Sequence, residues 1–407
     1  MLLENSLTFT KNVDRQLDTE YKNAKRGATI SVRKAPKYVV RDGQNVAIQD
    51  TVQTQVPFTL THQFGVDVEF FSSDLALSIS DFGTEILAPQ ISVIANAIDA
   101  AGMALAADVA MQIGTPGSTF AGALTGPQTL RFFTDANAML DKTATPRDGN
   151  RAAVINEDVN SILISNLSGL AQNSTDIGKQ YREGTMGMLV GDKFSMDQNV
   201  SSFTIGSHAG AALVNGANQF TLLPPGTNLG TAGYTNFPFL IKGLTPGATV
   251  ASHGERFTLP GIYMANTQSG ATMNKLQTFV VLNATPVVAD GSGNAALAIW
   301  PPIIATGAYK TVSAVPNNSD PLTWIGTPGV VTPQNLVFHK SAFTFASAEL
   351  PLPGGMHMAA RKSDKRLGAS LRFIAGYQIA TDQYIGRFDC LCGWLTQRPE
   401  CAVVVYG

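Results

Sequence analysis

The chain has 407 residues, of which 44% are apolar and only 14% charged, so it can fill two or three domains, with a surface that leans on Ser, Thr, Asn, Gln and Gly. Its net charge of −2 excludes a globally basic nucleic-acid binder, and ample apolar content with little net charge is the opposite of the disorder signature. No run approaches ~18 uncharged apolar residues, which argues against a membrane span, and residues 1–10 lack the basic-then-apolar order of a secretory signal.

From the N-terminus, the first 41 residues hold nine Lys/Arg (Lys11, Arg15, Lys22, Lys25, Arg26, Arg33, Lys34, Lys37 and Arg41) against four acids, a local charge of +5. Residues 12–25 pattern as a polar helix with few apolar anchors, which needs a partner to be stable. Residues 38–40 and 46–48 flank Asp42-Gly43, a pair that favours a tight hairpin. Residues 52–70 then alternate: even positions read Val, Thr, Val, Phe, Leu, His, Phe, Val, Val, Phe, and odd positions are mostly polar. Period two predicts a strand with one apolar face, and one unbroken strand of this span would reach ~60 Å at ~3.3 Å per residue. A ribbon that long projects beyond a compact body, and its edges call for cover by another chain. Val56, Phe58, Leu60 and Phe64, on the apolar face, are the candidate intersubunit contacts.

Leu87, Ile91, Ile94, Ile98, Ala101, Leu105 and Val109 follow at helical spacing, predicting one long spine helix over residues 81–114. Residues 128–142 pattern as an amphipathic helix, 151–155 as a short strand and 157–170 as another helix, so this part is mixed α/β. Near Ser207 the composition changes. Residues 207–338 hold seven charged residues, 12 of the 21 prolines and 15 of the 38 glycines, with short β-type runs at 239–241, 278–282 and 295–299. That is the signature of a small all-β barrel or sandwich, and the return of the earlier style after 338 makes it an insertion. Cys390, Cys392 and Cys401 lack C-x-x-C spacing and a fourth ligand, so they read as small buried hydrophobes rather than a zinc site.

No phosphate loop, H-E-x-x-H or G-x-S-x-G motif occurs, and the five His are scattered. Nothing points to catalysis, a metal or a cofactor. The 361–366 cluster of basic residues has no interleaved aromatics and reads as a solvated loop.

These pieces, in this order, resemble the major capsid (coat) protein of short-tailed bacteriophages of the Salmonella type. Two stretches carry most of the resemblance: Tyr181-Arg182-Glu183-Gly184-Thr185 with Gly191-Asp192-Lys193-Phe194, and Arg398-Pro399-Glu400 with the Val403-Val404-Val405-Tyr406-Gly407 end. The resemblance implies an α+β chain with the Hong Kong 97 tailed-phage capsid fold. Its parts would be an N-terminal arm (1–33), an E-loop extension (34–72), a peripheral domain with the spine helix (73–145), an axial domain (146–206), the inserted barrel (207–338) and a closing axial and peripheral part (339–407). It also implies self-assembly as hexamers and pentamers into an icosahedral shell around double-stranded DNA held without sequence specificity. A scaffolding protein and a portal protein would be partners, with no membrane, no cofactor and no enzymatic role; such shells assemble in the host cytoplasm. The family's charged loop across a two-fold axis has no counterpart here, because residues 228–236 carry no charge. Polar contacts or a separate decoration protein are the alternatives. An encapsulin-like cellular shell, and a β-rich phage tail or adhesion protein, stay open beside this reading.

Overall fold

The structure is a computed structural model that describes residues 7–15, 29–46, 48–49, 51, 55–71, 88–117, 128–167, 187–219, 238–363 and 368–406. The chain divides into two compact units, one formed by Met1–Ile30, Phe58–Ala104 and Phe343–Leu395, the other by Ser31–Pro57, Leu105–Ala342 and Thr396–Gly407.

The first unit is built on one long strand, Gln383–Thr396. It pairs with Phe343–Ala348, with Ser370–Gln378 and with His62–Phe71, and Met358–Ser363 closes the outer edge beyond Ser370–Gln378. His62–Phe71 runs antiparallel to residues 383–392 through ten consecutive pairs. The alternation expected over 52–70 is therefore real but split. Gln55–Thr59 pairs with Thr29–Arg33, and the chain changes partner at Leu60-Thr61. The two-residue break preserves the phase, so apolar side chains stay on the inner face of both strands. Gly393 permits the crossing: a Cβ there would lie 2.8 Å from the Thr59 carbonyl oxygen.

The helix α1, Ala88–Met103, packs across this sheet and passes into a 3-10 turn, Ala104–Asp108. The expected spine helix is thus shorter than 81–114 among the described residues: strand Gln112–Ile113 follows, and 81–87 lie outside them. Ala88–Asp108 is nevertheless apolar and long enough, by length and composition, to cross a membrane. Its burial marks a core helix instead. Ile94, Ala95, Ile98 and Met103 are fully buried, and Gly102 lets Phe9 and Trp394 press on the backbone. Buried Asp99 accepts hydrogen bonds from the backbone N–H groups of Thr8, Phe9 and Thr10 and from the Thr10 hydroxyl. Four donors offset the cost of burying that carboxylate. The N-terminal segment is consequently anchored: Leu7, Phe9 and Val13 are core, and Asp14 bridges to Thr344 in parallel. The expected helix at 12–25 does not begin where the pattern placed it. Asn12 ends a 3-10 turn and Val13 is extended, while 16–25 lie outside the described residues.

In the second unit, α2 (Gln128–Lys142), the strand Arg151–Ile155 and α3 (Glu157–Leu167) stand where the sequence placed them. A six-stranded sheet runs in the order Gln112–Ile113, Ala402–Val405, Asn335–His339, Arg151–Ile155, Asp192–Met196, Met188–Leu189. Phe133, Leu140, Val159 and Leu163 pack on it with Val337, Val403 and Val405. Residues 202–333 form a second β structure with its own core of Phe239, Ile241, Phe257, Phe279, Leu297 and Val312 among others. Its sheet runs Thr323–Trp324, Arg256–Ala265, Thr272–Val281, Ala295–Trp300, Pro238–Leu244, Gly210–Val214. The last strand returns to the first: Val214 N–H donates to Asp320 O, and Leu322 N–H to Ala212 O. Those two bonds bring the sheet nearly to closure as a barrel, which covers much of its edges.

Candidate assembly surface

Residues 34–51 extend from the Thr29–Arg33 and Gln55–Thr59 ribbon. A turn forms at Asp42-Gly43, where Gly43 has φ +108°, as the sequence suggested. The flanks, however, form no strand ladder among the described residues. Side chains bridge the two legs instead. Gln49 accepts from Val39 N–H at 2.8 Å and donates to Val39 O at 2.6 Å. Arg41 donates to the carbonyls of Gly43 and Asn45, and the Tyr38 and Thr51 hydroxyls share a hydrogen bond. The result is a turn whose apolar residues face outward: Val40 is 93% exposed, Ile48 91% and Val46 79%. β-branched residues on a backbone without a ladder are what an added strand or a neighbouring surface covers.

The four residues singled out from the alternation are not brought together as one outward face. Val56 and Phe58 are 0% and 1% exposed within the subunit itself. Leu60 sits at the break between strands, half-buried, and Phe64 stacks on His62 at 5.3 Å. Sequence alternation identified which face is apolar but not what covers it. Only the β-branched residues near Asp42-Gly43 hinted at the exposed tip.

The first unit has a second open margin. Met358–Ser363 pairs on one side only among the described residues, and five of its six residues are exposed. Met356, Met358, Tyr377, Ile379 and Ile385 are exposed apolar residues around it. Behind this margin the sheet is held by charge. Asp389 is fully buried; burial alone would raise its carboxyl, but hydrogen bonds from Arg372 at 2.6 Å and Arg387 at 2.7 Å win and hold it below its ordinary value.

The Gly191-Asp192-Lys193-Phe194 stretch opens the strand Asp192–Met196. Phe194 packs edge-on against Phe133 at 5.1 Å, and Asp192 is fully buried, receiving a hydrogen bond from Asn137. Arg151 holds Asn137 from the other side and also bonds Asp141. Among the described residues Asp192 Oδ1 has no hydrogen-bond partner, and burial pushes this carboxyl up to about 6. Residues 181–185 and 228–236 lie outside the described residues. Arg398-Pro399-Glu400 forms the 3-10 turn that feeds Ala402–Val405 into the sheet. The three cysteines are free and buried; burial raises Cys401 to about 11, and a hydrogen bond with Cys390 and burial raise Cys392. Among the described residues no cluster of His, Cys, Asp or Glu could hold a metal.

The sequence matches the family described as P22 coat protein, gene protein 5, over residues 18–407. The chain belongs to the P22 coat protein family. No curated protein matches it. Among solved structures, that of Mycobacterium phage Che8 shares 13% identity over 98% of this chain and 90% of that one, with a TM-score of 0.50. The capsid of cyanophage P-SCSP1u matches at 13% identity and TM-score 0.41, covering 95% of this chain and 85% of that one. The mature capsid of bacteriophage PhiM1 matches at 11% and 0.42, covering 95% and 83%. At such identities the Che8 likeness speaks for the fold: an α+β tailed-phage capsid architecture with a barrel-like sheet. A P22-type coat protein is a structural component of the virion, the major capsid protein that forms its icosahedral shell.

Proposed function

We propose that this coat protein assembles as hexamers and pentamers, and that the arm of residues 34–51 makes the contact from one subunit to the next. The observation that carries the reading is the exposed tip, where Val40, Val46 and Ile48 point outward and side-chain bonds join the two legs without a strand ladder among the described residues. In a free subunit such a surface is a liability; in a shell it is covered many times over, and weak contacts add. The open margin at Met358–Ser363 is a second place for a neighbour.

The division into N-terminal arm, E-loop, peripheral domain, axial domain and inserted barrel is supported by two cores, one drawn from 111–194 and 337–405 with Met264 of the barrel strand joining it, the other from 212–324. The basic N-terminal segment faces the shell interior, where an internal scaffolding protein and then double-stranded DNA are its partners. A portal protein occupies one vertex, and assembly takes place in the host cytoplasm. The net charge of −2 suits a container that encloses DNA without gripping it. The role is structural, with no reaction and no cofactor. Electron microscopy of the purified protein, alone and with a candidate scaffold, tests this reading. Uniform closed shells are expected; a chain that stays monomeric at every concentration and with every scaffold overturns it.

A further inference from the structure

The root of the arm lies on the inserted barrel. Lys34 follows directly on the strand Thr29–Arg33, and its Nζ sits 5.9 Å from the ring centroid of Trp300. Three residues later Lys37 repeats the arrangement over Tyr309, also at 5.9 Å, while its backbone N–H donates to the Tyr309 hydroxyl at 3.2 Å. Pro36 between them restricts the backbone, so the two lysines keep a fixed spacing. Behind them is a cavity of about 550 Å³ walled by Met111, Met264, Trp300, Tyr309 and Glu400. Glu400 Oε2 is buried with no hydrogen-bond partner among the described residues. Burial pushes the Lys34 ammonium down, and the Glu400 charge acts in the opposite sense.

The aromatic platform is not a loose loop. Ile303 and Val312 belong to the barrel core. Thr311 ties the segment to itself: its N–H donates to Ile304 O at 2.8 Å, its hydroxyl to Pro302 O, and it accepts from Ile304 N–H at 3.1 Å. Ala265 N–H, on a barrel strand, donates to Thr311 O. The platform therefore moves only if the barrel moves.

We propose that Lys34 and Lys37 latch the arm's root to the Trp300–Tyr309 platform, and that this latch fixes the direction in which the arm leaves the subunit and thereby the curvature at which subunits join. The barrel then acts on shell geometry through the arm. Two cation–π contacts with stiff spacing define a direction where one would define only a pivot. This rests on the reading of the arm as an intersubunit contact, and the test separates the two.

The experiment compares the wild-type chain with two double variants, Trp300→Leu with Tyr309→Leu and Lys34→Met with Lys37→Met. Trp300→Phe, with Tyr309 kept because its hydroxyl accepts the Lys37 N–H, serves as the rescue that keeps ring faces. The first readout is hydrogen exchange of residues 34–40 in the unassembled subunit; the expected change is about tenfold faster exchange in both double variants and near wild-type exchange in the rescue. The lysine variant leaves the barrel untouched, so a folding defect of the aromatic variant does not obscure the result. The second readout is the diameter distribution of assembled particles, expected to broaden or shift to open sheets and tubes in both double variants. Unchanged exchange at 34–40 overturns the latch. Faster exchange with particles of wild-type size and yield overturns its control of direction, while the arm contact itself stands. Failure of the arm contact shows separately, as wild-type assembly by a tip variant such as Val40→Asp.

Discussion

The inserted barrel and the arm tip use the same kinds of residue to opposite ends. Both are rich in β-branched side chains and turns. In the barrel, the strand Gly210–Val214 bonds back to residues 320–322, so the sheet nearly closes on itself, and the apolar side chains face one core. At the arm tip the legs are joined by Gln49, Arg41 and a hydroxyl pair, the backbone forms no ladder among the described residues, and Val40 and Ile48 are more than nine-tenths exposed. The difference teaches where a coat subunit completes itself and where it leaves the completion to a neighbour. Substitutions sharpen it when their effect on the isolated subunit is compared with their effect on assembly.

The barrel should give the largest loss of subunit stability. Phe257 is fully buried, stacked near Phe239 and Phe279 and edge-on to Trp324 at 5.4 Å. Phe257→Ala is expected to cost ~3–5 kcal/mol, read as a lowered thermal midpoint of the isolated subunit. An excised fragment of residues 207–338 should still show a dispersed β-type amide spectrum and a cooperative transition, because its core is its own. Arg256 sharpens that test. In the whole chain its buried guanidinium donates to the carbonyls of Ala106, Val109 and Gly254 and to the Tyr406 hydroxyl. The fragment lacks all of these but Gly254. Arg256→Met should therefore destabilise the whole chain and leave the fragment unchanged or more stable; the same sign in both would mean the barrel is not an independent body.

The ribbon stands between the two extremes. Phe58 belongs to the alternating stretch that invited an intersubunit reading, but it is 1% exposed inside the subunit. Phe58→Asp should then cost ~3–5 kcal/mol in the isolated chain, from the lost ring and an unpaired carboxylate, before any assembly is attempted. A monomer of wild-type stability with an assembly defect would instead place Phe58 at a subunit contact.

Much of the architecture was legible because the period of the apolar residues reports local structure directly. Residues 128–142 and 151–155 form the helix and strand that their spacing indicated, and the charge-poor stretch after Ser207 nearly closes into a barrel. What the pattern does not carry is partnership. The alternation before Phe70 reads as one strand, yet its two halves pair with different strands, and only contacts more than 300 residues away along the chain, such as Gly393 against Thr59, decide where it breaks. Asp99 is the anchor for residues 8–10, whose backbone needs are invisible in composition. The exposed tip was hidden for the complementary reason, since apolar β-branched residues are usually covered by their own chain.

Asp192 gives a smaller effect with a pH signature. Its carboxyl is raised from 3.8 to about 6 by burial. An acid so raised costs nothing while protonated in the folded state, and the penalty grows as pH climbs through roughly 4 to 6 and is complete above that. Wild-type stability should fall over that window by on the order of 2–3 kcal/mol from this group, and Asp192→Asn should flatten the fall. Denaturant midpoints at pH 4.5 and 7.5 check it: the variant should gain at the higher pH and gain little at the lower. Equal shifts at both values would show that the side chain is structural but not titrating.

The smallest effect on the subunit is expected where the effect on the shell is greatest. Val40→Asp and Ile48→Asp place a charge on side chains already 93% and 91% exposed, so neither removes a packed group nor buries a charge. Subunit stability should stay within ~0.5 kcal/mol of wild type by thermal or denaturant unfolding. Assembly is another matter, because a carboxylate pressed into a neighbour's apolar surface is desolvated at every repeat of the contact, and a small penalty per contact multiplies over a closed particle. Sedimentation of assembly reactions should show most of the variant protein remaining as slow-moving subunits under conditions that convert the wild type to shells. Val40→Ile and Ile48→Val, which keep an apolar β-branched side chain, should assemble like the wild type. Two outcomes break the contrast between tip and barrel. A thermal midpoint lowered as far as that of Phe58→Asp would place the tip inside the subunit core, and wild-type assembly of both aspartate variants would mean that no neighbour covers it.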